Sequence, residues 1–225
     1  MRVVLFGASG MVGQGVLLEC LRDPGVESVI TVVRKPTDPM PATFPHQQKV
    51  REIVHPDFQD FSSIKAQLTG LDACFFCLGV ASAGMSEEDY SRVTYGITAA
   101  AARTLVQASP ETTFIFVSGA GTDSSEKGRV MWARVKGKAE NVVLGRGFKA
   151  AYIFRPGFIE ALDGIESRTP LYRRLYKVFT PILPLLRRLL RGRMTSTQQI
   201  GRAMLSVARN GYKKPILEAA DLTTF

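Results

Sequence analysis

Cysteine is scarce in this chain, with Cys20, Cys74 and Cys77 the only three in 225 residues. That is too few for a disulfide framework and fits a reducing compartment. Cys74 and Cys77 spell C-x-x-C, but the surrounding DACFFCLG reads as a buried strand, on which residues three apart point to opposite faces; this argues against a redox pair. Histidine is nearly absent too, with only His46 and His55, and without a third ligand at suitable spacing no metal site is expected. Long apolar runs are missing. The opening MRVVLFGASG has no more than five consecutive apolar residues before its glycines, so it is neither a secretory nor a transit signal, and a cytoplasmic protein is expected. Acidic residues are absent between Ser167 and Leu217, where Arg168, Arg173, Arg174, Lys177, Arg187, Arg188, Arg191, Arg193, Arg202, Arg209, Lys213 and Lys214 contribute twelve positive charges. The rest of the chain carries 17 basic against 20 acidic side chains, so the net charge of +9 belongs to one C-terminal segment.

What is present is an alternation of strands and helices. RVVLF (2–6) is an apolar strand, and MVGQGVLLECLRD after it repeats Val12, Val16, Leu17 and Cys20 at helical spacing. Further strands are expected at 28–34, 49–55, 71–79, 112–121 and 149–157. A short helix is expected at 62–69, a long one over 86–109 opened by Ser86 and Asp89 in a capping-box arrangement, and another over 128–146. Residues 195–211 form an amphipathic helix with a Thr/Ser cap and Gly211 as its stop. Apolar strands alternating with helices predict an α/β, doubly wound, mostly parallel Rossmann-like sheet, with 1–225 as a single domain and 160–194 as a basic, apolar helical insert.

The first turn carries the strongest motif. GASGMVG places Gly7, Gly10 and Gly13 between a strand and a helix. Gly7 permits the tight turn, Gly10 lets the backbone approach a pyrophosphate, and Gly13 lets the helix pack on the sheet, with phosphate at the helix N-terminus beside Ser9, Met11 and Val12. The end of the second strand then selects the nucleotide. An acidic residue there would bind the ribose 2′-hydroxyl of NAD; this chain has Arg34 and Lys35, which would attract a 2′-phosphate, so NADP(H) is expected over NAD(H).

These glycines, followed in order by VVR, HPDFQDF, FFCLG, FVSGAG, a helix with Lys136, and FRPGF, resemble the short-chain dehydrogenase/reductase superfamily. The nearest likeness is to its atypical branch, which includes the Tat-interacting oxidoreductase-like and the epimerase/dehydratase-like proteins. The likeness covers roughly residues 1–160, and ILEAADL near the end resembles that branch's last strand. The resemblance implies that Asp57 and Phe58 sit beside adenine and that Cys77, Leu78 and Gly79 line the cofactor. It further implies that Ser118 orients a substrate carbonyl, that Lys136 holds the nicotinamide ribose, and that Pro156 and Gly157 touch the nicotinamide. Read alone, Asp57 is equally a turn cap and Ser118 a local backbone cap.

Trp132 breaks the pattern, because the family's proton-donating tyrosine is expected four residues before the lysine. An indole N–H cannot exchange a proton near neutral pH, though it can donate a hydrogen bond or pack on Lys136 as a cation–π pair. Three readings stand: an oxidoreductase or epimerase using Tyr90, Tyr95, Ser118 or water instead; a non-catalytic NADP(H) sensor; and a Trp132 that belongs to the core. The basic segment SRTPLYRRLYKVFTPILPLLRRLLRGRM (167–194) has a longest uncharged run of nine residues, Val178 to Leu186, broken by Pro181 and Pro184. It is too short to span a membrane. It reads as a lid over a small or lipid-like substrate, or as a peripheral contact with an anionic membrane surface; nucleic acid is the weaker reading, since no recognition helix accompanies the charge.

Overall fold

The computed structural model describes residues 1–165 and 194–225. The basic insert expected at 160–194 therefore lies outside the described residues except at its two ends. Seven strands form one parallel sheet: β1 (Arg2–Phe6), β2 (Ser28–Val33), β3 (Val50–Val54), β4 (Ala73–Phe76), β5 (Thr113–Val117), β6 (Ala150–Arg155) and β9 (Ile216–Glu218), in the order β3-β2-β1-β4-β5-β6-β9. Chain order reverses between β1 and β4, so a crevice opens there at the carboxyl ends of the strands. Two short strands, β7 (Phe158–Glu160) and β8 (Met194–Ser196), pair in parallel as a separate ladder.

Both sheet faces are covered, which is why the strands are apolar throughout rather than alternating. Under α1 (Met11–Arg22) and α5 (Thr197–Asn210) lie Val3, Leu5, Val16, Leu17, Phe75, Ile115, Ile200 and Met204. On the other face, α3 (Ile97–Ala108) and α4 (Met131–Leu144) cover Val4, Phe6, Phe76, Phe114, Phe116, Ala101 and Val143. Cys74 belongs to the second layer and Cys77 packs on the first, so the C-x-x-C thiols do face opposite ways. Burial pushes the Cys74 thiol well above its ordinary value.

Three local expectations are corrected. The long helix expected over 86–109 runs without a break from Glu87 to Ala108, but α2 (Glu87–Ser91) and α3 are joined within it by a π turn over Arg92–Gly96. β-branched Val93 and Thr94 beside Gly96 are poor helix formers, and the Thr98 hydroxyl donates to the Thr94 carbonyl at 2.7 Å. Residues Ser62–Leu68 wind as a 3₁₀ helix. ILEAADL is a strand only to Glu218, whose backbone N–H donates to Asp221 at 2.8 Å and opens α6 (Ala219–Leu222). As expected, α5 starts with a capping box at Ser196 and stops at Gly211, whose φ is +68°.

Candidate cofactor and active site

The glycine turn is built for close approach. Gly7 has φ +83°, and a Cβ there would lie 2.8 Å from the Cys77 backbone; a Cβ on Gly13 would lie 2.0 Å from the Gly7 carbonyl oxygen. Neither position admits a side chain, so the turn and α1 are pressed against the ends of β1 and β4. Helix α1 begins at Gly10 with no side-chain cap and no acidic residue in its first turn, leaving its first N–H groups and positive dipole end available to a phosphate. Met11 and Val12 occupy that first turn, and the Ser9 carbonyl accepts from Gln14 at 3.1 Å.

From this turn a cavity of about 620 Å³ runs to the end of β2. Its lining includes Gly7, Ser9, Arg34, Lys35, Phe58 and Leu78, bringing together six of the residues expected to hold a cofactor. Arg34 reaches over the Phe58 ring, its guanidinium carbon 6.0 Å from the centroid. The lining also includes Pro36, Thr37 and Asp38, which sequence reasoning passed over although they directly follow Arg34 and Lys35. Asp57, by contrast, turns its carboxylate to the Gln59 N–H at 2.8 Å and caps its own turn. Neither Cys77 nor Gly79 is among the lining residues; Cys77 contributes backbone against Gly7, and Gly79 is exposed.

Ser118, Trp132 and Lys136 gather beyond β5. The Ser118 hydroxyl is buried and shares a hydrogen bond of 3.1 Å with Thr122, which donates to the Gly119 carbonyl at 2.8 Å. The Ala120 N–H donates to the Pro156 carbonyl at 3.0 Å, drawing the Pro156–Gly157 turn to the same edge. Lys136 points its ammonium at the Phe116 ring, 5.9 Å from the centroid, so its cation–π partner is Phe116 and not Trp132, one of the packings open to the indole. Burial pushes Lys136 down to about 8 from an ordinary 10.5, with the Glu140 carboxylate partly opposing the shift. The Trp132 ring lies at Gly121, where a Cβ would be 3.6 Å from its edge, and the indole is partly exposed. It is therefore not a core tryptophan.

A clamp holds the loop that carries Ser118 against α4. A Cβ on Gly137 would lie 1.8 Å from the Asp123 carbonyl oxygen, and Asn141 donates to Ser124 O at 2.9 Å and to Glu126 at 2.7 Å. Behind Lys136, fully buried Glu140 accepts two hydrogen bonds from Arg155, one of 3.0 Å from Nε, and Arg155 reaches Glu218 at 3.2 Å. Tyr90 is buried, and Tyr95 lies beneath the Lys138 ammonium at 4.3 Å.

Residues 7–168 match the model of a family described as NAD(P)H-binding. The chain belongs to this family. The chain is 33% identical over 160 residues to protein fmp52, mitochondrial, of Aspergillus clavatus, covering 70% of this chain and 66% of that protein, slightly under two thirds of the relative's length. Among solved structures, a short chain dehydrogenase family protein from Francisella tularensis is similar over 99% of this chain and 98% of its own, with TM-score 0.63 and 13% identity. Vestitone reductase from alfalfa covers 96% of this chain and 76% of its own, with TM-score 0.66 and 17% identity. The fold is thus shared with these two proteins, and a nicotinamide dinucleotide, the ligand of the NAD(P)H-binding family, fits the glycine cradle and the cavity beside it.

Proposed function

We propose that the chain is an NADP(H)-binding atypical short-chain dehydrogenase/reductase acting as an oxidoreductase or epimerase on a carbonyl or hydroxyl substrate, with Trp132 where the superfamily's tyrosine is expected. The observation that carries the nucleotide assignment is the wall of the 620 Å³ cavity, where Arg34 and Lys35 leave the end of β2 with only Asp38 as a nearby lining carboxylate. Two cations favour the phosphate-bearing dinucleotide. Arg34→Ala should weaken NADPH far more than NADH in a fluorescence titration; equal weakening of the two would remove the argument.

The hydride chemistry is the nicotinamide's when the dinucleotide is bound. The chain orients and moves the proton. Ser118, whose hydroxyl donates to Thr122 because Thr122 gives its own hydrogen to the Gly119 carbonyl, orients a substrate oxygen by exchanging that bond for one to the substrate. Lys136, brought to about 8 by burial, exchanges a proton near neutral pH, which Trp132 cannot. Tyr90 and Tyr95 are the weaker candidates, one buried and the other engaged by Lys138. Trp132→Tyr should raise NADPH oxidation with a panel of aldehydes and ketones, while Lys136→Met should remove it. If wild type turns over and Lys136→Met leaves the rate unchanged, the assignment of the proton is wrong.

The second reading, a non-catalytic NADP(H) sensor docking on an anionic membrane or protein partner, is favoured by the same indole. The two separate on turnover, since both bind nucleotide. Location follows the docking question: a cytoplasmic protein peripheral to a membrane is proposed from the charge pattern, and the mitochondrial name of the fungal relatives makes mitochondria the alternative to examine.

A further inference from the structure

The stretch after Arg34 separates two cavities. On one side lies the cofactor cavity; on the other lies a cavity of about 410 Å³ beneath the proline-rich excursion, with walls from α1, β2 and β3. Ala8, Ser9, Val33, Thr37 and Asp38 line both, so Thr37 and Asp38 act as a thin partition standing on Val33. A partition of exposed backbone between two cavities needs an anchor. Further along, the excursion is held at Phe44, which is buried, and by Gln47 donating to Pro41 O at 2.9 Å. At the partition itself the anchor is Glu52 of β3, whose carboxylate accepts from the Thr37 N–H at 3.3 Å and from the Thr37 hydroxyl.

We infer that Glu52 is a specificity-positioning residue: by holding Thr37 it fixes the Arg34–Lys35–Pro36 corner and closes the pocket for a ribose 2′-phosphate against the neighbouring cavity. This rests on the NADP(H) reading above. Its sign is unusual. Glu52 is negative, so through charge alone its removal would strengthen binding of a 2′-phosphate. Through position, removal lets Thr37 move, merges the cavities and weakens that binding. NADH, lacking the phosphate, is indifferent to the corner.

The test uses the full-length protein with Glu52→Ala, Glu52→Gln, Thr37→Val and the Glu52→Ala/Thr37→Val pair, titrated with NADPH and NADH and checked by thermal melting. Glu52→Ala is expected to raise the NADPH Kd about five- to tenfold with NADH changed less than about twofold, in line with the loss of one or two exposed hydrogen bonds. The double variant should be no worse than the larger of the two single changes, because the two residues act through one contact. Glu52→Gln, which keeps shape and one acceptor, should fall between wild type and Glu52→Ala. Tighter NADPH binding in Glu52→Ala and Glu52→Gln would overturn the inference, as would an equal loss for both nucleotides. Failure of the NADP(H) reading looks different: wild type itself would show no preference for NADPH.

Discussion

Lys136 and Trp132 share one helix face by their spacing of four, and the sequence shows that much. What the face meets is a matter of the sheet, and the sheet supplies Phe116 to Lys136 and Gly121 to Trp132. A buried ammonium brought to about 8 has two consequences of opposite sign. If protonated Lys136 holds ribose and donates the proton, carbonyl reduction should fall as pH rises through about 8, and Lys136→Arg, whose guanidinium keeps the charge but does not release its proton, should lose both the rate and that limb. For stability, the folded value lies below the free value of 10.5, so the charged form is penalised below about pH 8 and the penalty fades as pH rises toward 10.5. Lys136→Met should therefore gain more stability over wild type at pH 7 than at pH 10, measured by denaturant unfolding at each pH. A gain independent of pH would show that Lys136 is not a buried cation.

At the scale of elements, α4 was legible from its periodicity and its stop at Gly145, and α1 from the glycine triplet. The contacts that join elements were not. Glu140 and Arg155 are fifteen residues apart in the chain, and nothing in VKGKAE or FRPG announces that one will bury its carboxylate under the other's guanidinium. Such pairs depend on how α4 lies across β6, which hydrophobic spacing does not encode. The pair carries a clear prediction: Arg155→Met leaves the buried Glu140 carboxylate without its guanidinium, with only the Ser124 hydroxyl at 3.4 Å and the nearby Lys136 to compensate, and should cost up to about 3–5 kcal/mol. A double Arg155→Met/Glu140→Met variant should recover much of that loss in urea unfolding, because the cost lies in the orphaned charge. The π turn in the 86–109 helix has local causes instead, since Thr98 donates to the Thr94 carbonyl four residues back, a competition that hydrophobic spacing does not register.

For the whole molecule, the doubly wound sheet was legible because apolar strands alternating with helices permit few arrangements. The partition at Thr37 was not, because prolines and polar residues between two strands read only as loop. Charge is the remaining whole-molecule property. Among the described residues no helix is long and apolar enough to cross a membrane, while the excess charge is concentrated in one segment. If that segment docks on membranes, the full chain should float with anionic vesicles at low salt, and Arg187→Gln/Arg188→Gln/Arg191→Gln/Arg193→Gln together should abolish flotation without changing NADPH affinity. Flotation unaffected by those four changes would exclude the segment as the contact.

The small β7–β8 ladder has an architectural consequence. Phe158 pairs with Met194 and Glu160 with Ser196, so the end of β7 and the start of β8 lie only about 8 Å apart by strand spacing. Lengthening a loop between fixed ends costs little, since closure entropy grows only with the logarithm of length. Changes of length between the two strands are thus expected to leave the nucleotide-binding sheet in register, since the paired strands themselves fix both ends.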